Sequence, residues 1–198
     1  MYTRQLTVKD AQDIDAGLAY LRAFIPVFTE QHGFRGVSVS ADREGGIFGV
    51  TSQWASEEDL DKSESVLSEA RHECYRVTGG VMTVEKFELT TDAVARVPVP
   101  GNPVLVARVS MDPAVVDAHI SRFEREILPA IAGQKGFSCL RLMANREEGR
   151  CVLGSVWQNP RALKRHLDSM MEQRDPALAQ GVRIDEISPR EILLIEVH

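Results

Sequence analysis

Gly33–Trp54 reads GFRGVSVSADREGGIFGVTSQW, and Gly136–Trp157 reads GFSCLRLMANREEGRCVLGSVW. Laid over each other at an offset of 103 residues, without a gap, the two stretches agree at 8 of 22 positions. The shared residues are Gly33/Gly136, Phe34/Phe137, Ala41/Ala144, Arg43/Arg146, Glu44/Glu147, Gly46/Gly149, Ser52/Ser155 and Trp54/Trp157. The same offset pairs Pro26 with Pro129, Gln31 with Gln134 and Leu60 with Leu163. A repeat of this length means that one structural unit is built twice, so the chain is read as a duplication.

Each copy holds a hairpin, because two alternating runs flank a short segment of Asp, Arg, Glu and Gly, the chemistry of a tight turn. Working outward in copy one, Thr3–Lys9 alternates as a strand. Between about Asp13 and Gln31, apolar residues Ile14, Leu18, Leu21, Ile25 and Phe28 recur at helical spacing. Pro26 falls late in that helix and is expected to kink or end it. Ser56 followed by acidic residues reads as an N-cap opening a second helix to about Val77, Gly79-Gly80 stops it, and Met82–Leu89 is the last strand. Copy two repeats the order: strand Val104–Met111, helix Pro113–Ala132, the hairpin, a helix opening at Asn159-Pro160, and strand Ile192–Val197.

Residues 92–103, DAVARVPVPGNP, read as a linker, so the expected domains are residues 1–91 and 104–198. The fold class is therefore α+β, with two ferredoxin-like βαββαβ repeats forming an intrachain dimeric α/β-barrel. Duplication supplies inside one chain what a single repeat would obtain by dimerising. The expected state is a monomeric pseudo-dimer or a dimer of pseudo-dimers.

Composition narrows the function. The chain of 198 residues is 43% apolar and 26% charged with a net charge of −6, values of a folded protein that lacks a basic stripe. Nucleic acid is excluded as a partner on that ground, and so is an anionic membrane surface. No apolar run reaches membrane-spanning length, the N-terminus lacks a signal-peptide pattern, and the three cysteines form no paired framework; the expected location is the cytoplasm. P-loop, GxGxxG, HExxH and GxSxG motifs are absent. The remaining expectation is a small-molecule ligand.

A Gly-Phe opening the hairpin, a third strand ending in Trp, and a polar helix start after it (SQWASEEDL and SVWQNPRAL) resemble the antibiotic biosynthesis monooxygenase-like family of dimeric α/β-barrels. The resemblance covers most of both repeats. It implies an oxidoreductase, a cofactor-independent monooxygenase acting on a small aromatic molecule. The fold also hosts haem-degrading enzymes and proteins with no known reaction, so haem binding and non-enzymatic ligand binding are the alternatives.

The candidate site is a cleft between sheet and helices in each copy. Trp54 and Trp157, with Phe24 and Ile127, are expected to shape it, or, in the structural reading, to anchor the helix–sheet corner. His166, between Leu163 and Met170 on a helix, is the candidate acid/base, with His119 as a second polar group; a packed histidine is the plain alternative. His72 lies 18 residues after Trp54, a spacing similar to that of the proximal histidine in the haem-degrading branch. An unbroken helix would turn His72 towards solvent, whereas a break near Ser63–Ser65 would favour the haem reading. Asp175 takes its place in copy two. The copy-two cleft is favoured. Cys139 and Cys151 read as small packing residues.

Overall fold

The computed structural model describes residues 1–172 and 181–197. In chain order these form β1 (Tyr2–Lys9), α1 (Ile14–Thr29), β2 (Phe34–Asp42), β3 (Ile47–Trp54), α2 (Glu57–Lys62), α3 (Glu64–Thr78) and β4 (Val81–Val94). Then follow β5 (Pro103–Ser110), a 3-10 turn (Pro113–Val115), α4 (Val116–Arg122), a π turn (Phe123–Ile127), α5 (Leu128–Ala132), β6 (Phe137–Asn145), β7 (Arg150–Trp157), α6 (Pro160–Glu172) and β8 (Arg183–Val197). In hydrogen-bonding order the strands run β1-β3-β2-β8-β5-β7-β6-β4, and the series is closed. Two βαββαβ repeats are thus present, as the hairpin pair requires.

The chain divides into two compact units, Met1–Phe87 with the stretch from Glu191 onward, and Glu88–Arg190. The long strands β4 and β8 cross between them in the covalent chain. In the first unit β2 pairs with β3 from Phe34↔Trp54 to Asp42↔Ile47, and its other edge pairs with Gly36–Ala41 against Glu191–Val197 of β8. In the second unit β6 pairs with β7 from Phe137↔Trp157 to Asn145↔Arg150, and with Glu88–Val94 of β4. The expected linker therefore begins three residues later than residue 92, because Asp92–Val94 are strand. Their backbone groups find partners on Cys139–Arg141 of β6, and a paired backbone is favoured over a solvated one.

The repeated hairpins agree to the residue. Both register shifts fall at the same place, Phe34/Gly36 and Phe137/Cys139. Gly46 and Gly149 both hold φ +62°; a Cβ on Gly149 would lie 2.1 Å from the Met111 carbonyl oxygen, so only glycine fits that turn. Arg43 and Arg146 at the two tips each pair with an aspartate opening the first helix of their own repeat, Asp15 at 2.7 Å and Asp117 at 2.7 Å.

The single offset of 103 fails towards the start of each repeat. Arg4 and Leu105 both oppose the shared serine, Ser52 and Ser155, so the first strands align at an offset of 101. Buried Ile14, Leu18 and Leu21 match Val116, Ile120 and Phe123 at 102, whereas Phe28 matches Ile131 at 103. The π turn at Phe123–Ile127 is the extra residue that makes the last step, since a π turn absorbs one insertion without losing the apolar face.

Three helix expectations need correction. Pro26 does not end α1, which runs on to Thr29; the cost is one backbone bond, and burial of Phe28 holds the last turn. The first helix of copy two is interrupted by that π turn rather than continuous from Pro113 to Ala132. The second helix of copy one, opened as expected by Ser56 capping the Asp59 amide at 3.1 Å, breaks at Ser63 into α2 and α3.

Candidate functional site

The first unit contains a cavity of about 420 Å³, its open mouth included, between β1 and β3 on one side and α1 and α3 on the other. Period-two alternation aims Arg4 and Leu6 of β1 and Val50 and Ser52 of β3 towards the helices. Leu21, Phe24 and Phe28 come from α1, where they recur at spacings of three and four; Leu67, Ala70, Arg71 and Cys74 come from α3 by the same periodicity. Most of these walls are apolar. Phe24 meets Tyr20 in a stacked pair at 5.9 Å and Phe28 edge-on at 5.7 Å, which fixes the aromatic wall.

One end of the cavity is cationic. The Arg4 side chain is 6% exposed. Its Nη1 donates to Ser63 Oγ at 3.1 Å, its Nη2 donates to the Leu60 carbonyl at 3.1 Å, and Nη2 lies 2.9 Å from Glu64 Oε2. The Ser63 hydroxyl donates to the same Leu60 carbonyl at 2.7 Å. Two side-chain donors thus occupy a helix carbonyl where α2 ends, which accounts for the break at Ser63. Arg71 Nη2 pairs with the other oxygen of Glu64, and Arg71 Nη1 is buried without a hydrogen-bond partner. Burial, and then the neighbouring Arg71, hold the Arg4 guanidinium below its ordinary pKa against the pull of Glu64. Two guanidiniums share one half-exposed carboxylate, so the cluster carries net positive charge.

The second unit fills the equivalent space differently. His166 aligns with Ser63 and is 1% exposed; its ring stacks on Trp157 at 4.6 Å and 27°, with neither ring nitrogen hydrogen-bonded. Burial pushes its pKa down to about 4, so the ring is neutral at pH 7. Leu105 and Leu167 stand where the first unit has Arg4 and Glu64. His119 is half-buried on α4, its pKa lowered first by burial and then by Arg122, and Ile127 ends the π turn. Nothing brings His119 and His166 into a hydrogen bond among the described residues. Asp175 lies outside those residues.

Trp54 and Trp157 have the same setting in both units. Each is fully buried, each donates its indole N–H to the serine two residues before it, at 3.0 and 3.1 Å, and each meets a phenylalanine edge-on, Phe34 at 5.5 Å and Phe137 at 5.8 Å. Trp54 reaches the cavity only through Ser52, which it orients. Phe24 lines the cavity directly.

His72 does not fit an axial haem ligand in this cavity. Despite the break at Ser63, it is exposed on α3, its Nδ1 lies 2.9 Å from the Ser68 carbonyl oxygen, and the cavity is lined instead by Arg71 and Cys74. Cys74, Cys139 and Cys151 are buried free thiols, each raised to about 11 by burial, and so are poor nucleophiles.

Sequence reasoning missed Arg4, Ser52 and Arg71. Arg4 had a legible signal, because it shares the parity of Leu6 and Val8 on an alternating strand, where a cation on the apolar face calls for a reason. Arg71 had a weaker one: it falls four residues after Leu67 and three before Cys74, on the apolar stripe of a helix otherwise rich in charge.

Comparison with known proteins gives no matching family model. The uncharacterized protein Rv2557 of Mycobacterium tuberculosis is 28% identical over 190 residues, covering 94% of this chain and 85% of that protein. Among solved structures, an anthrone oxidase-like protein superposes with a TM-score of 0.70 at 12% identity, covering 99% of this chain and 93% of its own. The heme-degrading enzyme LmHde of Listeria monocytogenes gives 0.57 at 7% identity, covering 96% and 98%. An uncharacterized ferredoxin fold protein of Listeria monocytogenes related to antibiotic biosynthesis monooxygenases gives 0.50 at 8% identity, covering 96% and 93%. No helix among the described residues is long and apolar enough to cross a membrane. The chain has the ferredoxin-like fold found in relatives of the antibiotic biosynthesis monooxygenases, carried twice in one polypeptide.

Proposed function

We propose that this protein is a monooxygenase-type oxidoreductase that acts on a small aromatic molecule held in the cavity of the first unit, with dioxygen as co-substrate and no bound cofactor. The observation that carries this reading is an apolar cavity with two phenylalanines in its wall and a guanidinium pair at one end. Apolar walls with a few convergent polar groups are the usual form of a small-molecule site. A guanidinium pair in a poorly solvated site stabilises an oxyanion developing on the substrate, which is the electron-rich form that reacts with dioxygen. The likeness in fold to an anthrone oxidase-like protein supports this choice of reaction class. For an anthrone the ring methylene loses two hydrogens, one oxygen atom forms the new carbonyl, and the other leaves as water. The substrate proton departs to solvent through the mouth, as the cavity lining has neither a carboxylate nor an imidazole.

That same lack of a base favours a second reading, a carrier that holds its ligand without turning it over. Oxygen uptake with anthrone as the probe separates the two. Uptake matched by anthraquinone formation, falling at least tenfold in Ala70→Phe, which fills the cavity, is the expected result. Binding of anthrone without uptake above buffer would leave the carrier.

A further inference from the structure

The polar end of the cavity keeps a guanidinium donor that no acceptor of the described residues takes up. Arg4 is desolvated and held on three sides by Ser63, the Leu60 carbonyl and Glu64. Arg71 spends one nitrogen on Glu64 and keeps Nη1 buried and unpaired. A buried N–H donor on a charged group without an acceptor is costly, and one that lines a cavity calls for an acceptor brought in from outside the chain. Glu64 is the one carboxylate that both guanidiniums touch; Asp61, the next carboxylate acting on Arg4, is bonded to Lys86 at 2.8 Å, which Glu57 also approaches at 3.5 Å, so neither reaches Arg71 Nη1.

We infer that the cavity selects a ligand bearing a permanent carboxylate on an aromatic body, with the carboxylate on Arg71 Nη1 and the ring system against Phe24 and Phe28. Two observations choose a carboxylate over a neutral phenol. The lining contains no group to take a phenol's proton, so an acid already ionised at neutral pH meets the site ready-made. A guanidinium also offers a planar N–H edge to which a carboxylate is complementary. Arg4 is a positioning residue here: its bonds to Ser63 and Glu64 hold the carboxylate of Glu64, which in turn orients Arg71. The second unit, with Leu105, His166 and Leu167 in the corresponding places, offers no such end. This inference rests on the first unit's cavity being the binding site, and it stands independently of any oxygenation.

The test is calorimetric binding of 2-naphthoate and of its neutral isostere 2-naphthamide to the full chain at pH 7. Naphthoate is expected to bind at least tenfold tighter than the amide. Arg71→Gln should abolish that preference while leaving amide binding within about twofold. Glu64→Gln, which removes the competing anion, should move the other way and tighten naphthoate severalfold; it also keeps the inference testable if Arg71→Gln does not fold. Equal affinity for acid and amide, or a preference indifferent to both substitutions, would overturn it. Charge-selective binding with no oxygen uptake from anthrone sinks the oxygenase reading alone. Uptake without charge selectivity sinks the carboxylate site alone.

Discussion

The two clefts were built from one plan and solve one packing problem in opposite ways. Each has the same hairpin, the same turn glycine and the same buried Trp–Ser pair. In the first, Arg4 and Ser63 meet through a hydrogen bond, the helix breaks at Ser63, and an open cavity remains beside them. In the second, Leu105 is 1% exposed, His166 lies flat on Trp157, and α6 runs unbroken from Pro160 to Glu172. Strand and helix positions have changed together: a cation with a hydroxyl in one unit, an aliphatic side chain with an unpaired imidazole in the other. A similar exchange of size separates Gly17, against Phe48, from their counterparts His119 and Cys151. Duplication lets one copy keep a polar, accessible cleft while the other trades it for packing. The exchange of Gly17 and Phe48 for His119 and Cys151 nearly conserves volume, which is what cores tolerate best.

The tryptophans offer the largest expected effect and the hardest test of equivalence. Trp54→Ala and Trp157→Ala should each cost about 3–5 kcal/mol in denaturant unfolding, since each removes a fully buried indole. A cost below about 1 kcal/mol at either position would break the symmetry of the shared scaffold.

His166 sharpens the difference by its pH dependence. Its pKa is depressed from 6.5 to about 4 in the fold, so the unfolded chain binds the proton first as pH falls. Stability from this group is full above pH 6.5 and is lost down to about pH 4, by about 3 kcal/mol. His166→Leu should remove that slope, and at pH 7 it should be close to neutral, because it replaces an unpaired buried polar group by an apolar one. The readout is urea unfolding at a series of pH values. If His166 also serves as acid or base, the leucine variant loses about a hundredfold in turnover at pH 7 besides losing the slope.

Transplanting one solution into the other unit tests the coupling itself. Arg4→Leu alone removes one donor each from Ser63, the Leu60 carbonyl and Glu64 and should cost about 1–3 kcal/mol. Ser63→His alone crowds the guanidinium. The double variant Arg4→Leu/Ser63→His should cost less than the sum of the two, by at least about 0.5 kcal/mol, because neighbouring sites couple. Strict additivity would mean that the two residues do not form a unit. The smallest effect belongs to the hairpin tips: Arg43→Ala and Arg146→Ala should leave the melting temperature almost unchanged, as exposed ion pairs contribute little.

Much of the fold was legible from the chain alone, because its signals are local. Turn glycines, alternating strands and the apolar spacing of Ile14, Leu18 and Leu21 report on each residue's immediate neighbours, and a duplication states them twice. Their limits lay where partners are distant. The strand character of Asp92–Val94 depends on Cys139–Arg141 of β6, about forty-five residues away, and the break at Ser63 depends on Arg4, 59 residues earlier. The candidate site was legible only in outline. Phe24 was aimed at a cleft and lines the cavity of the first unit, and the divergence of the copies at Ser63/His166 was visible in the alignment. Which member of that pair keeps an accessible site could not be read there. A histidine beside an apolar stripe invites a chemical reading more readily than an arginine on a first strand, even one that shares the parity of Leu6 and Val8. Only the tertiary structure decided that the imidazole is sealed against Trp157 while the guanidiniums of Arg4 and Arg71 converge on Glu64 beside open space. The physical reason is that charge and solvation at a site are set by residues brought together across the sheet, and sequence spacing carries no record of them.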